Sequence, residues 1–163
     1  MKKFLISLIV LLCLVALFSC NKVQKSLDEE FGFCQDDFIV IEEIDTHGGF
    51  NGDGNYYLTL DCSKNMEKIN ELITDWNKLP FSEELGFIMY GGSKDKTHYG
   101  AIYGNEKGKT FPQIENGYYK ILDRNNGDKR EVVDDLGYHA SNNFTIAVYD
   151  ADGKLMYYFE FDM

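Results

Sequence analysis

Residues 143–161, NFTIAVYDADGKLMYYFEF, contain two alternating apolar patterns on either side of a short turn. An apolar residue at every second position is typical of a β-strand that buries one face. The residues predicted to be buried are Phe144, Ile146 and Val148 in the first strand and Leu155, Tyr157, Phe159 and Phe161 in the second. Gly153 supplies a turn position that tolerates a positive φ, so the segment predicts a tight antiparallel hairpin.

A second pair of strand patterns flanks the decapeptide DTHGGFNGDG at residues 45–54. Residues 38–45, FIVIEEID, are rich in β-branched side chains, and residues 56–62, YYLTLDC, alternate in polarity. Both patterns favour strands, and the glycines between them favour a loop, so a second hairpin is predicted here. Residues 87–90 and 97–103 predict a further hairpin, and residues 117–123 predict another strand.

After Ser63 the apolar residues recur every three or four positions, which is the period of one helix face. Ser63 is a suitable N-cap, Pro80 stops the helix, and Ser82 with two following acids favours one further helical turn. The apolar stripe consists of Met66, Ile69, Leu72, Ile73 and Trp76. These patterns predict an α+β domain: a mainly antiparallel curved sheet built from hairpins, with one amphipathic helix packed on one face.

The first 20 residues predict an export signal. Residues 1–19 begin with Lys2 and Lys3 and continue as an apolar run too short for the roughly 20 residues of a membrane-spanning helix, so they predict a signal peptide. The end of this run, LFSC at residues 17–20, resembles a bacterial lipobox. The resemblance implies that Cys20 becomes the first mature residue and carries the lipid; ordinary cleavage or an uncleaved anchor are the alternatives.

This organisation divides the chain into a signal peptide at 1–19, a lipidated tether at 20–30 and a single globular α+β domain at 31–163. The predicted location is the extracytoplasmic face of the cell membrane, with the lipid as the membrane contact. The 144 residues after the signal are enough for one ordinary domain with a core.

The chain is strongly acidic, with a formal net charge of −11. Removal of Lys2 and Lys3 with the signal leaves 14 basic against 27 acidic residues, or −13. Such a surface repels phosphate backbones and anionic headgroups, which argues against nucleic-acid binding and against electrostatic docking on a membrane. A basic protein or peptide, or a cation, suits this charge as a partner; maintaining solubility is the simpler alternative.

The decapeptide contains the candidate metal ligands. Asp45 and His47 lie two positions apart, and Asp53 returns on the far side of the loop, so the three could converge on a divalent cation. No Lys or Arg lies within the loop or within nine residues on either side, which argues against a phosphate cradle. The alternative is a hairpin loop that the glycines permit, in which the polar side chains bond to nearby backbone.

Two cysteines remain in the predicted domain, Cys34 and Cys62. Outside the cytoplasm such a pair is often oxidised, so a disulfide is one alternative and two free thiols are the other.

Three tyrosine doublets each send one member to the face opposite its neighbour. If the helix covers only one face of the sheet, Tyr57, Tyr118 and Tyr158 would form an exposed aromatic surface suited to protein, peptide or sugar contacts. Loops that cover the second face are the alternative.

The decapeptide, WNKLP at residues 76–80, ENGYYKILDR at residues 115–124 and the C-terminal hairpin resemble a group of small bacterial proteins, chiefly from low-GC Gram-positives. These proteins share a D-T-H-G-G-F-x-G-D-G segment and a tyrosine-rich final hairpin. The resemblance brings no assigned activity, so it implies no catalytic or binding residue.

Without an enzyme motif, the sequence favours a lipid-anchored extracytoplasmic protein that acts as a non-enzymatic binding or immunity-like module. The alternative is a divalent-metal-binding protein or a metal-dependent hydrolase centred on the loop at 45–54. No cofactor is required by the first hypothesis, and a divalent cation is required by the second.

Overall fold

The computed structural model describes residues 22–48, 54–94, 96–99, 101, 110–124, 130–131 and 143–162. The helices are α1 (Lys22–Phe31), α2 (Met66–Leu72) and α3 (Glu83–Tyr90), with 3₁₀ turns at Gln35–Asp37 and Ile73–Asp75. The strands are β1 (Ile39–Asp45), β2 (Gly54–Asp61), β3 (Asn77–Lys78), β4 (Gly92–Lys94), β5 (Thr97–Tyr99), β6 (Gly117–Asp123), β7 (Arg130–Glu131), β8 (Phe144–Asp150) and β9 (Leu155–Asp162). The predicted signal peptide and Cys20 lie outside the described residues.

Most of the strands belong to one antiparallel sheet, in the order β1-β2-β9-β8-β6-β3, with β7 also pairing with β6. Strands β4 and β5 form a separate two-stranded hairpin. The sheet and the short helices confirm an α+β fold that is mainly antiparallel. Within the described residues, no helix combines the length and the apolar composition that a membrane span requires.

The predicted hairpins around the decapeptide and at the C-terminal end of the chain are both present. Strands β8 and β9 pair from Phe144 with Phe161 to Asp150 with Leu155. Strands β1 and β2 pair up to Asp45 with Tyr56, and one irregularity in register falls between Val40 and Glu42. The second hairpin adds β2 to the free side of β9, so the C-terminal hairpin lies in the centre of the sheet.

The sheet has a hydrophobic core on each face. Leu58, Ala147 and Tyr158 are paired neighbours on one face, where they pack with Leu27 of α1 and Ile69 of α2. We call this the α1 face. The predicted apolar stripe also belongs to it, although α2 ends at Leu72, before Ile73 and Trp76. Ile69 and Trp76 are buried, and Met66, Leu72 and Ile73 are partly buried against the same cluster.

The opposite face, which we call the α3 face, is also covered. Tyr57, Ile146 and Phe159 are paired neighbours there, and Leu85 and Met89 of α3 pack over them. The sequence predicts one helix on one face, whereas the described residues place helices on both. A central strand covered on both sides has no solvent face, because each of its two side-chain rows meets a core.

This two-sided burial corrects the prediction for β9. Phe159 and Phe161 are buried as expected, but Leu155 and Tyr157 are only partly buried. Met156 and Tyr158, on the face predicted to be open, are fully buried. Alternation therefore identified the strand but not which side of it meets a core.

Two segments adopt a different secondary structure from the prediction. Residues 22–31 form α1, and Leu27 and Phe31 are buried in the core, so the folded domain begins before the predicted start at residue 31. Residues 87–90, predicted as a strand, belong to α3. The Ser82 side chain accepts a hydrogen bond from the Leu85 N–H and starts this helix, which ends at Gly91 with φ 72°.

Candidate functional site

A set of short hydrogen bonds holds the chain where it leaves β1. The Thr46 N–H donates to the Asn55 carbonyl at 2.9 Å, and the Asn55 N–H donates to Thr46 Oγ1 at 2.7 Å. The His47 N–H donates to Asp45 Oδ1 at 2.9 Å. A Cβ at Gly54 would lie 2.7 Å from the backbone of His47, so this close approach requires glycine. These contacts fix the start of the loop that the sequence singled out.

The ring of His47 lies between two carboxylates. Its Nδ1 lies 2.7 Å from Asp45 Oδ1, and its Nε2 lies 3.3 Å from Asp162 Oδ2. Asp162 reaches the ring because Gly54 pairs with Asp162 in the β2–β9 register. The Nε2 atom is buried and makes no hydrogen bond of good geometry within the described residues.

Arg124 joins this group from the end of β6. Its guanidinium donates to Glu160 Oε1 at 2.9 Å and to Asp162 Oδ1 at 2.6 Å. It also donates to the carbonyl oxygens of Phe144 at 3.3 Å and Phe161 at 3.1 Å. Both Arg124 and Glu160 are largely buried, so the pair is a buried charge pair rather than a surface one. We call Asp45, His47, Arg124, Glu160 and Asp162 the charged cluster.

Burial dominates the electrostatics of Glu160. It is the largest influence on this carboxyl and raises its pKa above the ordinary value, against the lowering effect of Arg124. Asp162 and Glu30 raise the pKa further, and His47 lowers it. Because the net direction is upward, removal of this carboxylate from water costs more than the attraction of Arg124 returns.

Tyr56 lies beside the charged cluster and has a strongly raised pKa. Its hydroxyl donates to Glu43 Oε1 at 2.8 Å. Burial, followed by that hydrogen bond, raises the pKa of Tyr56 far above its ordinary range, so the phenol remains protonated. Tyr56 can therefore donate a hydrogen bond here but cannot act as a base at neutral pH.

The structure brings together only part of the predicted metal triad. Asp45 and His47 are in contact, but through a hydrogen bond in which the carboxylate orients the ring. Asp53 lies outside the described residues, so the triad of Asp45, His47 and Asp53 stays a prediction. Among the residues that are described, no three His, Cys, Asp or Glu side chains are arranged to hold a metal ion.

Arg124, Glu160 and Asp162 did not stand out in the sequence. Glu160 lies on the side of β9 that was predicted to be open, with Met156 and Tyr158, so its charge agreed with that prediction and gave no signal. Nothing local identifies Arg124 as its partner, since the pairing depends on the order of β6, β8 and β9 in the sheet. The cluster holds the ends of these strands together.

Cys34 and Cys62 are both free thiols in the structure, which corresponds to the second of the two predicted alternatives. Cys62 continues the buried row of β2, and burial raises the pKa of its thiol to about 12. Cys34 is partly buried; burial and the nearby Asp28 and Asp37 raise its pKa as well. Neither thiol is activated as a nucleophile, since the reactive form is the thiolate.

The predicted aromatic surface of Tyr57, Tyr118 and Tyr158 is wrong. Tyr57 is 4% exposed on the α3 face, and Tyr158 is 0% exposed on the α1 face. Tyr118 is partly buried and packs against the core of the α1 face. The three side chains therefore form no exposed surface, because Tyr57 lies on the opposite face from Tyr118 and Tyr158 and both faces are covered.

Exposed apolar side chains occur instead on β1. Ile39, Val40 and Ile41 are 42%, 40% and 55% exposed, and they are the large apolar residues that are exposed within the described parts of the chain. In the described residues β1 pairs with β2 alone, so it is an edge strand of the sheet. We call the side of Ile39–Asp45 that faces away from β2 the β1 edge.

Searches against family models, curated proteins and solved structures gave no match for this chain. The resemblance to small bacterial proteins that share the decapeptide stays a prediction from the sequence.

Proposed function

We propose that this protein is a lipid-anchored extracytoplasmic binding module that takes a basic protein or peptide as its partner and performs no catalysis. An immunity-like role, in which it would capture a basic exported protein, is one form of this function. The observation that carries the proposal is the placement of three consecutive exposed apolar residues on an edge strand within a strongly acidic segment.

The acidic segment is residues 26–63. It contains ten Asp and Glu residues and not one Lys or Arg. It supplies β1 and β2, and within it Glu43 and Asp45 are exposed on the same strand as Ile39, Val40 and Ile41. A partner that meets this region must therefore bring positive charge together with apolar surface.

The two kinds of contact have different roles. Burial of the exposed parts of Ile39, Val40 and Ile41 would contribute roughly 1 kcal/mol each to affinity. The carboxylates would accelerate association with a basic partner and reject acidic ones. Within the charged cluster, Arg124, Glu160 and Asp162 are engaged in internal contacts and hold the sheet to which the β1 edge belongs.

A binding experiment tests the proposed partner class. The probe is a fluorescent peptide that alternates lysine and valine, titrated into the full chain in a non-ionic detergent. We expect saturable binding that weakens as salt is added, because exposed charges are screened at high ionic strength. A peptide that alternates glutamate and valine should not bind.

The chain offers a matched pair of variants for this experiment. Glu42→Gln with Glu43→Gln removes two adjacent charges from the β1 strand. Glu83→Gln with Glu84→Gln removes two adjacent charges from the first turn of α3, with the same change in net charge. We expect only the first pair to weaken binding of the lysine peptide; equal weakening by both pairs would show that net charge alone attracts the peptide.

The anchor has a separate test. The intact mass of the protein extracted from bacterial membranes should include acyl chains on Cys20, and Cys20→Ser should lose both the added mass and the membrane association. An unmodified Cys20 would contradict the lipid anchor without affecting the proposed partner.

A further inference from the structure

We infer that the β1 edge binds its partner by strand addition, in which an extended basic segment of the partner pairs with the backbone of residues 42–45. This inference rests on the proposed function and states how the partner would be held. It commits to one occupant, an extended chain with Lys or Arg at alternate positions.

The register shows which backbone groups point outward. The Thr46 N–H donates to the Asn55 carbonyl, which makes this a hydrogen-bonded pair of the antiparallel ladder. Such pairs alternate with pairs whose N–H and C=O point away from the neighbouring strand. Asp45 pairs with Tyr56 and Glu43 pairs with Leu58 in the alternate positions. The backbone groups of Glu43 and Asp45 therefore point to the β1 edge.

The side chains of Glu43 and Asp45 suit an added strand, as their outward backbone groups do. The carboxylates of Glu43 and Asp45 lie on the same face and two positions apart, as do alternate residues of an added strand. An added strand with basic residues at alternate positions would set its charges opposite these two carboxylates. Main-chain bonds supply affinity in this recognition mode, and alternate side chains supply specificity.

The first half of the strand has a different role. Ile41 falls at the register shift between Val40 and Glu42, where the ladder to β2 is irregular. Such a bulge interrupts regular pairing at an edge. Residues 39–41 would therefore contribute apolar contact area, and residues 42–45 would form the regular backbone hydrogen bonds with the added strand.

Charge distinguishes the proposed occupant from a second copy of this chain. Two β1 strands side by side would bring Glu42, Glu43 and Asp45 of each copy together. Like charges directly opposite one another destabilise a strand pair. A basic partner strand would instead place positive charges opposite these carboxylates, and such contacts are favourable. The β1 edge therefore suits a partner of opposite charge.

The decisive comparison is between Glu43→Pro and Glu43→Thr. Both variants remove the same charge and the same contact with Tyr56, but only proline removes the outward N–H. Proline is accepted at edge positions whose N–H does not serve the sheet. We expect the lysine–valine peptide to bind the full-length Glu43→Pro protein at least about tenfold more weakly than Glu43→Thr. Equal binding by the two variants would overturn strand addition and leave the proposed partner class intact.

Amide hydrogen exchange provides a measurement that needs no variant. At saturating peptide, the amides of Glu43 and Asp45 should become protected in the wild-type protein, while that of Ile44 should change little because it already serves the β1–β2 ladder. Unchanged exchange at Glu43 and Asp45 in a peptide-bound protein would contradict strand addition. Absence of any peptide binding would instead contradict the proposed function itself.

Sedimentation of the protein without peptide tests the other occupant. We expect a monomer in non-ionic detergent. A dimer that Glu43→Pro dissociates and Glu43→Thr does not would show that a second copy occupies the edge, and the basic partner strand would be wrong.

Discussion

The guanidinium of Arg124 lies 2.9 Å from the carboxylate of Glu160, across the width of β8. The two residues are 36 positions apart in sequence and are largely buried. A charge pair in this setting is costly to assemble. Loss of Arg124 is more costly still, since it leaves the Glu160 carboxylate buried without compensation, whereas loss of the Glu160 charge leaves Arg124 paired with Asp162.

Replacement of Arg124 by methionine should therefore destabilise the protein. We expect a loss of about 3–5 kcal/mol in the free energy of unfolding at neutral pH, measured by urea denaturation. Adding Glu160→Gln should recover part of this loss, because it removes the uncompensated carboxylate. A loss below about 1 kcal/mol for Arg124→Met would show that Glu160 is well solvated in the folded state.

Glu160→Gln alone should change how stability depends on pH. The folded pKa of Glu160 lies above its ordinary value of 4.5, so the folded protein holds this proton more tightly than the unfolded chain does. The resulting stabilisation is complete below that value and is lost as pH rises through the folded pKa. Urea denaturation should give equal stability for wild type and variant near pH 4, with the variant more stable at neutral pH. The opposite order at neutral pH would show that attraction by Arg124 exceeds the cost of burial.

Two glycines should respond in opposite ways to alanine. A Cβ at Gly117 would clash with the backbone carbonyl of Tyr149 on the neighbouring strand, whereas a Cβ at Gly86 of α3 meets nothing within 4 Å. We expect Gly117→Ala to cost about 1–3 kcal/mol or more. Gly86→Ala should stabilise by about 0.5–1 kcal/mol, because alanine loses less backbone entropy in a helix. Thermal melting of both variants measures the difference, and similar melting temperatures would contradict the tight β6–β8 approach.

The hydroxyl of Ser82 should stabilise the start of α3. Ser82→Ala removes the acceptor for the Leu85 N–H at the start of α3, with an expected cost of about 0.5–2 kcal/mol in denaturation experiments. Ser82→Asp keeps an acceptor at the same position and should remain close to wild type. If both variants lose the same stability, the cap is not the reason that residues 83–90 form a helix.

The two domain cysteines should react with iodoacetamide in a fixed order. Cys34 is partly exposed, whereas Cys62 is buried with its pKa raised to about 12, so Cys34 should be alkylated first in the native protein. Peptide mass mapping identifies the labelled residue, and both should react after unfolding. A protein in which neither thiol reacts without prior reduction would show that the pair is bridged.

Most strand positions were predictable because they depend on local alternation. The C-terminal hairpin and the hairpin around the decapeptide follow from period, β-branched content and turn residues, which are properties of neighbouring positions. The first turn of the helix at Glu83–Tyr90 was predicted from Ser82 and the two acids after it. Its continuation through residues 87–90 was predicted as a strand because the apolar residues are dense enough to suit either structure, and the four-residue spacing of Leu85 and Met89 was the available signal.

The sequence by itself determined the acidic character of the chain, the two main hairpins and the α+β class. Only the tertiary structure decided that β8 and β9 lie in the centre, that Tyr57 and Tyr158 are buried on opposite faces, and that β1 is an edge. The physical reason is that alternation tells which residues share a face, whereas burial depends on what packs over that face. Strand order likewise brings Arg124 to Glu160 and leaves Ile39, Val40 and Ile41 exposed, and it is set by pairings between residues distant in the chain.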